Sequence, residues 1–188
     1  MTTLADLDWP RLTTRLELRP ARAEDAAEVW RWHRSPVVTE WLSRLATDQA
    51  VFTARFESGL DETVLGLLDG RVVASAKVHI EDGWAQDEIA EQAGGRQCEV
   101  GWVLDPSVQG QGLGTELATG VLAIAFEGLG VHRAVAYCFA DNTASQKVME
   151  RAGMRLEGRY RADSLHRSGR WLDSLAYAML TDEWRARS

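Results

Sequence analysis

Glycine occupies alternate positions in one short stretch, Gln109-Gly110-Gln111-Gly112-Leu113-Gly114-Thr115. Such a backbone turns freely and presents no Cβ atoms to an approaching ligand. Its N–H groups, followed by a helix N-terminus, form a concave donor surface suited to a pyrophosphate. A nucleotide-triphosphatase loop would end in Gly-Lys-Ser/Thr, and Gly114-Thr115 lacks the lysine. The dinucleotide fingerprint G-x-G-x-x-G does not fit either, because the third glycine comes one residue too soon.

The loop needs an element on each side to hold it. Ahead of it, Val100, Trp102 and Leu104 alternate with Glu99, Gly101 and Val103, which predicts a strand stopped at Asp105-Pro106. Behind it, Leu117, Val121 and Ile124 or Ala125 recur at helical spacing from Leu113 to about Gly128. Val131 to Phe139 is apolar on both faces and reads as an interior strand. This strand–helix–strand unit implies two parallel strands joined by a right-handed crossover.

Upstream, residues 1–10 read as a loosely held arm with Trp9 as its anchor, and residues 11–188 as the domain proper. A first strand is predicted over Thr13–Leu18 and a helix over Ala23–His33, broken at Ser35-Pro36. A second helical region runs from about Thr39 to Ser58, interrupted near Ala46-Thr47-Asp48, where Thr47 or Asp48 can cap a new helix. Thr63–Leu68 and Arg71–Ile80 form a hairpin joined at Asp69-Gly70, followed by a polar, acidic excursion from Glu81 to Arg96. Downstream come a short helix from Asn142 to Ala152 and two closing strands near Met154–Asp163 and Trp171–Leu180. The fold class is α/β: a single mixed twisted sheet of about seven strands with helices on both faces.

With 188 residues, 45% of them apolar, the chain has enough material for one core and one domain. Its formal charge of −7 argues against a nucleic-acid surface and is compatible with a cationic small molecule or a basic peptide. The absence of a long apolar run and of a signal-like start predicts a soluble cytoplasmic protein with no membrane contact. Cys98 and Cys138 fall in predicted buried strands and read as apolar fillers rather than a disulfide or metal pair. The histidines lack metal-ligand spacing, so no metal is expected.

Four stretches in order carry a resemblance. They are Thr14-Arg-Leu-Glu-Leu-Arg-Pro with Glu24-Asp25-Ala26, and Glu99-Val-Gly-Trp-Val-Leu leading into the glycine loop. Then follow Asn142-x-x-Ser145-x-x-Val148-x-Glu150-x-x-Gly153-Met154, and Gly169-Arg-Trp-Leu-Asp-Ser-Leu-Ala-Tyr-Ala-Met-Leu with Glu183-Trp184. From about Thr14 to Trp184 the chain resembles the GNAT acetyltransferases, in the branch around the ribosomal-protein N-terminal acetyltransferases (RimJ/RimL-like).

The resemblance implies the GNAT fold, a parallel strand pair that splays apart, and acetyl-coenzyme A as cofactor. It implies that Trp102, Val103 and Leu104 line the pantetheine arm, and that Gln109, Gly110, Gln111, Gly112, Leu113, Gly114 and Thr115 hold the pyrophosphate. The reaction implied is direct transfer of acetyl to an amine, which must first be neutral and so needs a base. Glu99 lies where relatives often place a base acting through water; the alternative is a carboxylate satisfied by a cation or hydrogen bond. Asn142 caps the following helix by type and position, and the family uses this asparagine to contact pantetheine or a nearby water. Ser145 is a proton donor to the departing sulfur or an ordinary helix-start serine. Many relatives carry a tyrosine as general acid at the position of Met149, and methionine cannot donate a proton.

The acceptor pocket of relatives is built from the first two helices and the last hairpin. Here those segments bring Trp30, Trp32, His33, Trp41, Phe52, Tyr160, Asp163, His166 and Trp171, each of which can also serve the core. Aromatic rings beside carboxylates suit an ammonium group. The acceptor implied is a protein N-terminus or a small amine such as an antibiotic, a polyamine or an aminoacyl nucleotide. A homodimer through the closing hairpin is compatible with the resemblance. The competing reading is an acyl-coenzyme A-binding module without catalysis, which the missing tyrosine favours.

Overall fold

The computed structural model describes residues 2–187. In chain order the strands are β1 (Arg11–Leu12), β2 (Glu17–Pro20), β3 (Thr63–Leu68), β4 (Arg71–Glu81), β5 (Gln97–Leu104), β6 (Arg133–Phe139), β7 (Arg155–Leu165) and β8 (Trp171–Leu180). The α-helices are α1 (Ala26–His33), α2 (Pro36–Thr39), α3 (Gln49–Glu57), α4 (Leu113–Ala123), α5 (Thr143–Arg151) and α6 (Thr181–Arg185). Among the described residues, the eight strands join one sheet in the order β1-β2-β3-β4-β5-β6-β8-β7, and only β5 and β6 run parallel.

Local chemistry accounts for the element ends. Asp69 and Gly70 both take left-handed angles, φ 51° and 78°, which closes the β3–β4 hairpin in the twist its strands prefer. Asp48 caps α3 by accepting the Val51 N–H at 2.9 Å. The expected first strand is split, which raises the count to eight: the Thr13 N–H donates to the Leu16 carbonyl at 2.9 Å, so the chain turns there. Leu4 is buried in the core, and the Trp9 indole N–H donates to its carbonyl at 2.7 Å.

The sheet carries a hydrophobic layer on each face. Leu113, Leu117 and Val121 of α4 and Met149 of α5 pack with Val64, Val78, Cys98 and Val100 on one side. Val29 and Trp32 of α1 and Phe52 of α3 pack with Leu65, Leu67 and Val72 on the other. Each such side chain contributes roughly 1.5–3 kcal/mol by leaving water. Burial pushes the Cys98 thiol up to about 12 and the Cys138 thiol up to about 11, and both cysteines are free. Among the described residues, no helix is long and apolar enough to cross a membrane, and no group of three His, Cys, Asp or Glu side chains is placed to hold a metal ion.

The parallel pair is short. β5 and β6 match only at Gln97–Arg133, Cys98–Ala134 and Glu99–Val135. Beyond that point β5 stays on β4 as far as Leu104–Ala74, while β6 stays on β8 as far as Phe139–Ser174. The two strands therefore open into a V whose vertex lies at Glu99.

Candidate active site

The open arm of β5 offers a free backbone edge. The Asp105 N–H donates to the Val73 carbonyl at 2.8 Å, which fixes the alternation along the strand. Val103 and Gly101 thus bond to β4, opposite Ser75 and Lys77, while Trp102 and Leu104 turn their N–H groups into the V. The side chains divide the other way. Trp102 and Leu104 pack on the α4 layer, and Val103 packs on the α1 layer.

At the wide end of the V stands the start of α4. Its N-cap is Gly112, at φ 82°, a left-handed conformation that costs other residues about 1–2 kcal/mol. Gly112 has no side chain to cap the helix, and the first intrahelical bond runs from Glu116 N–H to the Gly112 carbonyl at 3.2 Å. Among the described residues, the N–H groups of residues 112–115 meet no protein acceptor. Two other helices differ, since Asp48 and Asn142 cap α3 and α5 with their side chains. A donor cluster at the positive end of a helix dipole fits a diphosphate.

The residues around this cluster brace it. Gln109 Nε2 donates to the Leu104 carbonyl at 3.3 Å, and Gln111 Nε2 to the Ser107 carbonyl at 3.2 Å. Leu113 is buried in the core, so only its backbone faces the loop. A Cβ on Gly114 would stand 3.2 Å from Val148 of α5 and 3.7 Å from Leu104, so glycine is what lets α4 approach α5 this closely.

Across the V, Asn142 Oδ1 accepts the Ser145 N–H at 3.1 Å. The Ser145 side chain is half-buried in the first turn of α5. Met149, one helical turn on, is fully buried in the core. Tyr177, behind α5, donates its hydroxyl to Glu150 at 3.1 Å, and burial pushes its pKa up to about 12.

On the opposite face of the sheet, Glu99 lies at the vertex with Lys77 Nζ 2.8 Å from its carboxylate. The register aligns Glu99 with Val135, so Tyr137 and Phe139 follow it on the same face of β6. Burial raises the Tyr137 pKa, with Tyr160, Glu81 and Glu99 adding to the rise, so its hydroxyl stays protonated. Phe139, Ser174 and Tyr160 form one row across β6, β8 and β7. Trp41 sits on this row, 6.0 Å from Phe139 and 5.5 Å from His166, whose Nε2 donates to the Glu40 carbonyl at 3.0 Å. Residues 40–42 therefore bridge from the α1 side to the tip of the closing hairpin.

A family model for the acetyltransferase (GNAT) domain matches residues 15–155. The chain belongs to the GNAT acetyltransferase family. It is 36% identical over 86 residues to the uncharacterized N-acetyltransferase YnaD of Bacillus subtilis, a match that spans 46% of this chain and 50% of YnaD. A GNAT-family acetyltransferase from Bacillus anthracis superposes with a TM-score of 0.79 at 24% identity, covering 93% of this chain and all of that one. The ribosomal L7/L12 α-N-protein acetyltransferase RimL, solved in complex with coenzyme A, gives a TM-score of 0.76 at 19% identity, covering 94% of this chain and 99% of that one. Acetyl-coenzyme A is the cofactor of GNAT acetyltransferases, and the uncapped start of α4 beside a free strand edge fits it.

The GNAT fold gathers some of the sequence candidates and separates others. Trp102, Leu104, Gln109 to Thr115, Asn142 and Ser145 surround the V. Glu99, Trp41 and Tyr160 share the other face. Trp32 is buried in the α1 layer, 7% exposed, with its indole N–H unpartnered. His33 packs 4.8 Å from Phe52 beside a hollow of about 250 Å³ that includes Arg44 and Arg55, and burial lowers its pKa. Trp171 is exposed at the start of β8, alternating onto the other face from Ser174. Lys77, Tyr137, Phe139 and Glu116 carry no local sequence signal, and Arg15 falls in a resemblance stretch that assigns it no role; register and long-range contact bring them to the candidate site.

Proposed function

We propose that this GNAT domain is an N-acetyltransferase that transfers acetyl directly to a primary amine, on a protein N-terminus or a small molecule. The observation that carries this reading is the V opened at Glu99 with the uncapped start of α4 at its wide end. Bound acetyl-coenzyme A supplies the acetyl thioester. The loop N–H groups hold its diphosphate, and Gln109 and Gln111 stiffen the loop. The Trp102 N–H, the first free donor of β5 past the vertex, stabilises negative charge developing on the thioester oxygen, and the Leu104 N–H pairs with the pantetheine arm.

Glu99 accepts the proton of the incoming ammonium through water, and Lys77 holds its carboxylate in place at 2.8 Å. Ser145 donates to the departing sulfur, the task that buried Met149 cannot perform. Trp41, Tyr137, Phe139 and Tyr160 line the acceptor's approach with π faces suited to an ammonium group. A homodimer through the closing hairpin is supported by the exposure of Leu156, Leu165 and Trp171.

Thiol release from acetyl-coenzyme A, followed with a panel of amines and peptides, tests the reading. Steady release with at least one amine is expected. Tight cofactor binding with no release from any amine would favour the second reading, a non-catalytic acyl-coenzyme A-binding module, whose support is the loss of the usual tyrosine at Met149.

A further inference from the structure

Arg15 lies in the turn between β1 and β2, far in sequence from the glycine loop, yet it is locked against that loop. Its Nη1 donates to the Gln111 carbonyl at 3.0 Å, and its Nη2 lies 3.6 Å from where a Cβ on Gly112 would stand. Nε and Nη2 both reach Glu116 Oε2 at 2.8 Å. The other carboxylate oxygen of Glu116 accepts the Thr13 hydroxyl at 2.6 Å, the Arg15 N–H at 2.6 Å and the Leu16 N–H at 3.2 Å. Burial opposes the ionised form of Glu116, but these donors outweigh it and hold its pKa below the usual carboxylate range.

The guanidinium is thus fixed in place before any ligand arrives. Nε and Nη1 each donate one hydrogen bond and Nη2 lies in ion-pair contact with Glu116, which leaves donors on both Nη1 and Nη2, and its side chain is 44% exposed. A planar fork fixed next to four unpaired helix N–H groups matches the geometry of a diphosphate oxygen pair.

We propose that Arg15 binds the diphosphate of coenzyme A, and that Glu116 is the positioning residue that aims it. The inference rests on the reading of residues 109–115 as the diphosphate loop. Arg15 reads the nucleotide end of the cofactor and not the acyl end, so its loss discriminates between acetyl-coenzyme A and acetyl-pantetheine.

The test is calorimetry of the full chain with coenzyme A, together with kcat/KM for acetyl-coenzyme A and for acetyl-pantetheine, in wild type and Arg15→Met. The variant is expected to bind coenzyme A about tenfold more weakly, and the ratio of the two kcat/KM values is expected to fall by a similar factor. Equal losses with both thioesters would make Arg15 a mere brace of the loop and overturn the proposal, as would unchanged affinity. No heat with wild type would overturn the loop reading itself. A second measurement needs no variant: phenylglyoxal modification of Arg15, read by mass spectrometry on wild type, is expected to be blocked by coenzyme A and not by pantetheine. Equal modification with both ligands contradicts the proposal.

Discussion

Lys77 Nζ stands 2.8 Å from Glu99 Oε2 on the face of the sheet where β5 and β6 part. The pair positions a carboxylate at the vertex of the V, where an acceptor amine would approach. Glu99→Gln keeps the shape and removes the basicity. It is expected to lower kcat about a hundredfold with little change in coenzyme A affinity. Turnover equal to wild type from pH 6 to 9 would remove Glu99 from the mechanism.

Gly114 is a packing requirement as much as a loop residue. Alanine there gains about 1 kcal/mol of helix propensity, but close contact with Val148 at 3.2 Å makes overpacking worth about 1–3 kcal/mol. Gly114→Ala is therefore expected to lose about 1 kcal/mol of stability in urea denaturation and to bind coenzyme A more weakly, because α4 must shift off α5. A variant as stable as wild type with the same affinity contradicts this account.

The acid limb of stability follows from Asp25. Burial alone would raise its pKa, but the two-pronged contact with Arg19 at 2.7 and 2.8 Å and the Arg22 N–H lower it. A carboxyl lowered on folding stabilises the fold above its unfolded pKa of about 3.9, and that stability is lost as pH falls through the folded value. Glu116 and Glu157 are lowered too, the first by the Thr13 and Arg15 donors against burial, the second mainly by Arg133. Urea denaturation should show their contribution constant above about pH 5 and falling below about pH 4. Asp25→Asn should cost about 3–5 kcal/mol at neutral pH and flatten the acid limb; an unchanged limb contradicts this.

His33 acts in a different window. Burial lowers its pKa below the usual value of about 6.5, so the fold favours the neutral ring. Its contribution is full above that value and is lost as pH falls toward the folded pKa. His33→Phe, which keeps a ring beside Phe52, should remove the pH dependence of stability just below about pH 6.5. The same slope in wild type and variant would assign that dependence elsewhere.

Local chemistry made much of the fold legible. Asp69-Gly70 specified its hairpin, Asn142 its cap, and the alternate glycines the uncapped start of α4, because each signal spans only a few residues. The split of the first strand turned on a Thr13–Leu16 bond that alternation alone does not reveal. Lys77 meets Glu99, and Arg15 meets Glu116 about a hundred residues away, only after strand register and crossover are set. For the same reason Trp32 and Trp41, equally aromatic in the sequence, separate into the α1 layer and the row beside Phe139.

If coenzyme A adds itself to the free edge of β5, residue-resolved amide hydrogen exchange will register the new strand pairing. With saturating coenzyme A, exchange at the Trp102 and Leu104 N–H groups should slow, while Val103, already bonded across to β4, should not change. Exchange at Trp102 and Leu104 that is indifferent to the cofactor would contradict the account.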